Sequence, residues 1–436
     1  MNPATAVLPQ TFHTPAGPTV PAPRVTGDRP RVDLLTADVL LPAGGSWVIP
    51  APAESLAEHV ARFGHLPPDA SRLLETVHDA GLTGHGGGHV PVAAKWRRTL
   101  AGRGCLTVVA NGAESEPWSA KDAVLLRLHP HLVLDGLALT AQALGAARTV
   151  VWLHDDEEPA TVRAVTDAVG ERARQGGRGD RAPDVEVLVG PAHYLAGESS
   201  AVAQAVAGGP ALPTARRPRP DGGPRTLVHN VETLARVALA ARGLAASATR
   251  LLTVLGPDGR LVTEVERGSS LLGAMLAAGW RQGAGWPEGV LLGGYGGTWV
   301  SWADAARARV DADDPVGRLL GAGIVAPLAP GACPVRATAG IAEYLAGMSA
   351  GQCGPCVFGL PAIAASVRRL ADGRPARAEV PRLAADLDAV AGRGACHHPD
   401  GVVGLVRSMH AVFGLHVAAH ERGATCDPAR TGKGWR

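Results

Sequence analysis

Cys353 and Cys356, separated by two residues, are answered by Cys396 forty residues further along the chain. If these thiols act together, two remote C-terminal segments must fold back onto each other. No other feature constrains the architecture as strongly. Gly354 and Pro355 between the pair turn both sulfurs toward one point. Three converging soft ligands favour iron–sulfur chemistry over a hard cation. A four-thiolate iron site takes one more cysteine, and position 350, three residues before Cys353, holds Ala. The same residues also read as a site left empty, or as a small zinc site in which a histidine beside Cys396, His397 or His398, completes a Cys3His set.

The patterns around these cysteines are helical: 339–346, 359–370, 380–391 and 401–422 each carry apolar residues at helical spacing. A bundle with cysteines at its loop ends is a sensible holder for a cluster. Upstream the pattern differs. Short helices are expected over 55–63 and 71–80, before a Gly-rich segment at 81–88. Strands at 105–110, 149–154 and 185–189 alternate with helices at 131–144 and 158–173, which argues for an α/β layer on a largely parallel sheet. After position 248 come two strands, 251–256 and 260–266, around the turn Pro257-Asp258-Gly259. A helix at 271–278 and a strand at 290–292 complete a small α+β unit similar to a ubiquitin-like β-grasp. The expected organisation is a disordered or extended leader over 1–32 and an α/β domain over 33–248. A β-grasp domain over 249–330, a helical domain over 331–425 and a tail over 426–436 follow.

A length of 436 residues suits about three domains of roughly 150 residues each. With a formal charge of +2, no strong field argues for nucleic acid or an anionic membrane. Lys95, Lys121 and Lys433 are the only lysines, which gives Lys95 more weight than a lysine in a lysine-rich chain. Six cysteines in this length do not resemble a secreted disulfide scaffold. No run of 18 apolar residues is free of charges or breakers. A cytoplasmic protein is expected, with membrane attachment only through a partner. Cys105 reads as core packing in a strand, Cys333 as the start of a strand before the bundle, and Cys426 as part of a polar tail.

Three further segments carry polar chemistry. Gly84, Gly86, Gly87 and Gly88, followed by Lys95, form a loop whose backbone N–H groups could approach a phosphate while the lysine adds a point charge. A flexible glycine turn without a ligand is the plainer alternative. Asn111, Glu114 and Glu116 follow a strand end, where they could equally be solvated loop groups. Gly197 fits a strand-to-helix turn and Glu198 a helix N-terminus, and Asn230 and Thr233 suit helix capping.

Taken in order, these segments resemble the NADH-binding flavoprotein subunit of respiratory complex I and the diaphorase subunits of related hydrogenases and formate dehydrogenases. The resemblance covers about residues 75–420. It implies an α/β flavin and nucleotide domain, a soluble-ligand-binding β-grasp domain, and a helical bundle holding one four-iron cluster. By this resemblance the Gly84–Lys95 segment holds FMN, and Asn111, Glu114 and Glu116 form the acidic flavin loop. Tyr194, Gly197 and Glu198 face the dinucleotide, and Asn230, with Thr233, touches flavin. Cys353, Cys356 and Cys396 would ligate a 4Fe-4S or 3Fe-4S cluster, and the family order ranks this first for those thiols.

The chain departs from the family pattern where His85 replaces Arg, His89 Gly, Val90 Phe and Val92 Thr. Ala113 stands in place of Asp, Ser199 of Glu, and Ala350 of the first cluster cysteine. The implied activity is an NADH dehydrogenase-like oxidoreductase, passing electrons from NADH through FMN to iron–sulfur and on to a ferredoxin-like or other redox subunit. The departures also admit a non-dehydrogenase: a carrier fed by a partner, or a structural subunit of a membrane redox complex.

Overall fold

The computed structural model describes residues 53–155, 159–175, 184–214, 225–281 and 285–426, with three two-residue strands, β1 (Ala6–Val7), β2 (Arg31–Val32) and β3 (Trp47–Val48). Apart from β1 and β2, the leader expected over 1–32 lies outside the described residues, as does the tail beyond Cys426.

The chain first lays down helices α1 (Leu56–Phe63), α2 (Leu73–Asp79) and α3 (Val92–Leu100). Ser55 and Glu58 form a reciprocal capping box on α1, satisfying donors at its open N-terminus. The α/β layer follows: β4 (Leu106–Asn111), α4 (Lys121–Leu128), α5 (Pro130–Leu144), β5 (Arg148–His154), α6 (Pro159–Gln175), β6 (Val185–Gly190), α7 (Ser199–Val206), β7 (Arg225–Asn230) and α8 (Val231–Ala241). The strands join in the order β1-β6-β5-β4-β7, with every pairing parallel. Near-continuous apolar runs such as Leu106-Thr107-Val108-Val109-Ala110 suit strands covered on both faces. Helices α5 and α8 cross at Gly136, where an added Cβ would stand 1.9 Å from the Leu234 carbonyl oxygen. Only glycine lets these backbones approach so closely.

A mixed sheet comes next. It uses β8 (Thr249–Gly256), β9 (Gly259–Glu266), α9 (Leu271–Ala277), β10 (Gly289–Leu292), β11 (Thr298–Ser301), α10 (Trp302–Arg307) and β12 (Ile324–Pro327). Its order is β11-β10-β12-β8-β9-β2-β3; β8 and β9 form an antiparallel hairpin, and β12 runs parallel to β8. Strands β11 and β12 were not expected, because each has only four residues and no clear alternation.

The C-terminal region is helical: α11 (Pro334–Gly347), α12 (Leu360–Ala371), α13 (Glu379–Val390), α14 (His398–Val412) and α15 (Gly414–Glu421). Ile341, Leu345, Ile363, Val367, Leu383, Val402 and Val406 share its core. The pattern over 401–422 reads as one helix, yet α14 and α15 meet at 91°. Phe413 leaves helical geometry between them and packs edge-on against Trp299, with ring centroids 5.3 Å apart. Among the described residues no single helix is long and apolar enough to cross a membrane. Two cysteine expectations are corrected. Cys105 is exposed ahead of β4, and Cys333 caps the N-terminus of α11 rather than opening a strand.

A buried charge network ties the two sheets together. Glu232, at the start of α8, lies 2.8 Å from Arg236, 3.1 Å from Lys121 and 3.2 Å from His85. It also accepts from the Leu251 amide of β8 at 3.1 Å, while Arg236 donates to Thr249 Oγ1 and the Ala246 carbonyl. Burial alone would raise the Glu232 carboxyl, but His85, Lys121 and Arg236 hold it well below the usual carboxylate range. Removing one partner of a buried ion pair strands the others, at about 3–5 kcal/mol. Glu232→Gln is therefore expected to lower stability by about that amount, read as a reduced urea midpoint. An unchanged midpoint would show that the network contributes little.

Candidate functional site

Strands β4 and β7 are neighbours, in a register that sets Asn111 directly beside Asn230 at the carboxyl edge of the parallel sheet. Ligands of open α/β sheets bind outside that edge. Three of the singled-out segments converge there, and the chain around position 295 joins them.

The Gly-rich loop lies over the start of α8. The His85 amide donates to Thr233 Oγ1 at 3.0 Å, and a Cβ on Gly86 would sit 3.3 Å from Asn230 Cβ. Gly87 has φ +97 and His89 φ +46, both left-handed; glycine adopts that conformation without the cost a side chain brings. Lys95 lies one turn into α3, a helix the Gly-rich reading did not anticipate. Its amine donates to the Val228 carbonyl and is drawn down to about 8 by burial. It thus anchors α3 to β7. Trp96 does the same through its indole N–H to His229 Nε2 at 2.8 Å.

The acidic loop faces the Gly197 turn. Asn111 Nδ2 donates to the Gly197 carbonyl at 2.8 Å, and a Cβ on Gly197 would stand 2.3 Å from Ser115 Oγ. Glu114 is half-buried and accepts from the Asp122 and Ala123 amides at the start of α4, each at 3.2 Å, and from the Ser119 hydroxyl. Burial, then the neighbouring Asp122, pushes its carboxyl up to about 6. Glu116 accepts from the Tyr295 amide at 3.0 Å and the Tyr194 hydroxyl at 3.1 Å. Burial raises it to about 8 despite both hydrogen bonds. The plainer reading also holds for two residues. Glu198 caps α7 by accepting from the Ser200 and Ala201 amides, and Asn230 caps α8 by accepting from the Glu232 amide. Asn230 Nδ2 additionally donates to Asp122 at 2.6 Å.

These residues suit a ligand as polar as FMN. Three buried polar atoms on the lining segments, His89 Nε2, Ser115 Oγ and Tyr295 Oη, have no hydrogen-bond partner, and buried groups of this kind ordinarily find one. The glycine loop supplies close backbone approach beside them.

From Glu116 an aromatic row leads into the bundle. Trp118 and Tyr295 have ring centroids 4.6 Å apart, Tyr295 and Tyr344 5.1 Å, Tyr344 and Tyr194 6.1 Å, and Tyr194 and His398 5.6 Å. His398 follows Cys396 by two residues and is tied to the Leu345 carbonyl at 2.8 Å. Cys356 lies in a single π-helical turn, Pro355–Gly359, and is buried, as is Cys396; Cys353 is half-buried. Burial, then the Cys353 and Cys396 thiols, pushes the Cys356 thiol up to about 12. Cys353 and Cys396 thus lie near enough to Cys356 to disfavour its thiolate, and thiols are the donor type that suits iron–sulfur. His397 is exposed and lies 3.9 Å from Asp400, and Ala350 offers no donor.

The residues sequence reasoning missed include Tyr295, Tyr344 and Trp118, which carry no spacing signal. It also passed over His416 and His420, four apart on α15, beside Cys426 and Cys333. The i, i+4 histidine pair was the signal available.

Two family models match the chain: a Nuo51 FMN-binding domain over residues 77–239, and the NADH-ubiquinone oxidoreductase-F iron–sulfur binding region over residues 336–420. The corresponding NADH-quinone oxidoreductase subunit of Mycobacterium tuberculosis is 27% identical over 393 residues, covering 83% of this chain and 86% of the relative. Its counterpart in Aquifex aeolicus is 30% identical over 175 residues, 38% of this chain and 41% of that one. Among solved structures, an NAD+-reducing [NiFe]-hydrogenase in the H2-reduced state superposes with TM-score 0.73 at 28% identity. That match covers 85% of this chain, which spans 65% of the hydrogenase chain's length. A mixed α/β domain of FMN-binding type joined to a helical region of iron–sulfur-binding type defines the class. The chain is similar to NADH-quinone oxidoreductase flavoprotein subunits through its FMN-binding match over 77–239 and its iron–sulfur-binding match over 336–420.

Glu116 supplies a pH test of the site. Its folded pKa of about 8 lies above the ordinary 4.5, so the neutral acid stabilises fully below pH 4.5 and that contribution is lost as pH rises through 8. Between pH 5 and 9 the melting temperature of the wild type is expected to fall relative to Glu116→Gln. Parallel curves would mean that the carboxyl is already ionised.

Proposed function

We propose that this chain is an NADH-linked oxidoreductase that passes electrons through FMN and an iron–sulfur centre to a redox partner subunit. The observation carrying this reading is the pairing of an FMN-binding match over residues 77–239 with an iron–sulfur-binding match over residues 336–420, joined by the aromatic row that runs from beside Glu116 to His398. Bound FMN supplies the exchange between two-electron hydride transfer and single-electron transfer. The chain supplies position. The turn at Gly86–Gly88 offers close backbone approach, and Asn111 and Asn230 present amides at adjacent strand ends. Glu116, held largely protonated by burial, and Glu114, satisfied by the Asp122 and Ala123 amides and the Ser119 hydroxyl, avoid placing unpaired negative charge beside an anionic ligand. Tyr194, Gly197 and Glu198 form the turn assigned to the dinucleotide. The Trp118, Tyr295, Tyr344 and Tyr194 rings pack against one another in series and would keep water out of the space between bound FMN and the bundle.

The strand order β9-β8-β12-β10-β11, with its parallel central pair β8 and β12 and α9 following the hairpin, supports reading residues 249–330 as a β-grasp domain. We divide the rest into an α/β domain over 33–248 and a helical domain over 331–425. A cytoplasmic protein, held at a membrane only through partners, fits the absence of a spanning helix among the described residues.

One observation favours a carrier fed by a redox partner in place of NADH. Val90, 39% exposed, stands where the family resemblance expects a stacking aromatic, so that position offers no ring to a nicotinamide. Anaerobic titration of the reconstituted protein decides between the two. NADH is expected to bleach the flavin bands; bleaching by dithionite but not by NADH would establish the partner-fed carrier. A colourless, iron-free protein that resists reconstitution would leave only a structural subunit. In the same protein, Cys356→Ser is expected to abolish the broad thiolate–iron absorbance and the bound iron while the flavin bands persist. Iron retained at wild-type content would assign the centre to other residues.

A further inference from the structure

A second set of soft ligands gathers at the opposite end of α11, a helix about 20 Å long at 1.5 Å per residue. Cys333 Sγ lies 3.3 Å from His420 Nε2, which lies 3.3 Å from Cys426 Sγ. All three donor atoms fall within 4.8 Å of one another. His416 Nδ1 stands 3.8 Å from the Cys426 sulfur. Zinc bonds of about 2.3 Å to sulfur and 2.0–2.1 Å to nitrogen place tetrahedral S and N ligands about 3.6 Å apart, close to these spacings. We propose that Cys333, His416, His420 and Cys426 form a structural zinc site that pins the C-terminal segment to the base of α11.

The orientation of the imidazoles supports this independently of their proximity to sulfur. His420 Nδ1 lies 2.9 Å from the Leu370 carbonyl, an acceptor only, so Nδ1 carries the proton and the Nε2 lone pair faces the thiols. His416 Nε2 lies 2.8 Å from Glu288 Oε2, which leaves Nδ1 as the free donor on the side of Cys426. A carbonyl and a carboxylate behind two histidines are the outer partners that metal-ligating imidazoles ordinarily have. The histidines are four residues apart on α15, one turn, and so share a face. The tail that carries Cys426 is seated as well: a Cβ on Gly373, which has φ +64, would meet the Thr425 side chain at 2.7 Å and the Gly423 carbonyl at 3.0 Å. Cys333 and His420 are buried, and two thiols with two imidazoles fill a tetrahedron. Such a closed site stabilises structure and leaves no position for catalysis. It shares no residue with Cys353, Cys356 and Cys396.

Zinc content of the purified full chain, measured by mass spectrometry alongside iron, tests this. Wild type is expected to hold about one zinc per chain, and the Cys333→Ser/Cys426→Ser variant at least about tenfold less at unchanged iron. Cys356→Ser should show the reverse, losing iron and keeping zinc. Glu288→Gln, which leaves all four ligands in place, is expected to weaken zinc retention against a chelator by about tenfold. Zinc K-edge absorption on the wild type needs no variant to fold. Two sulfurs at about 2.3 Å and two nitrogens at about 2.0 Å are expected. A zinc-free wild type, a Cys333–Cys426 disulfide in its place, or zinc with an all-oxygen shell would overturn the proposal.

Discussion

The contact of Glu232 with Lys121, Arg236 and the buried His85 imidazole underlies most of this molecule. Lys121 comes from the first turn of α4, His85 from the glycine loop, Arg236 from α8 itself, and the Leu251 amide from the second sheet. One carboxylate thereby fixes the relative positions of four chain segments that must agree for a flavin-sized ligand to be held. Charges this deeply buried are costly unless every partner is present. The glycine loop therefore cannot drift from α8 without exposing the cost. His85, the residue by which the loop enters the network, is also one of its departures from the pattern the chain resembles, so this chain ties down the loop with its own chemistry.

The same economy recurs at the sheet edge. Glu114, Glu198 and Asn230 each have a full structural occupation as helix caps. A capping role and a ligand-facing role are compatible, because a side chain that caps a helix at the carboxyl edge of a parallel sheet is already at the place where ligands bind. The capping bonds hold the oxygens in fixed directions, which lowers the ordering cost a ligand would otherwise incur. Lys95 is different. Its amine turns inward to Val228, so its contribution here is to seat α3 on β7.

Much of the α/β layer was legible because its strands and helices follow distinct periods. Core strands such as β4 and β5 are unbroken apolar runs, and α5 carries a cap-to-glycine length that only a helix satisfies. The helical character of the region that carries Cys353, Cys356 and Cys396 could be anticipated from the apolar spacing on either side of them. What stayed hidden depends on contacts remote in sequence. The bend at Phe413 is set by Trp299, and Cys333 looked like a strand residue until its sulfur proved to cap α11. The partners of Glu116, Tyr194 and Tyr295, lie 78 and 179 residues away. Cys426 seemed idle because its neighbours are spread from position 333 to position 420.

The Phe413 ring sits over Gly289 of β10, where an added Cβ would come within 2.5 Å of its tip, and the bare backbone there forms a socket for the aromatic edge. That socket, more than any preference within 398–421, dictates the direction in which the last helix departs. The middle sheet thus serves as a mould for the C-terminus. A methyl group at position 289 would swing α15 and carry both of its inward-facing imidazoles out of register with the sulfurs they confront.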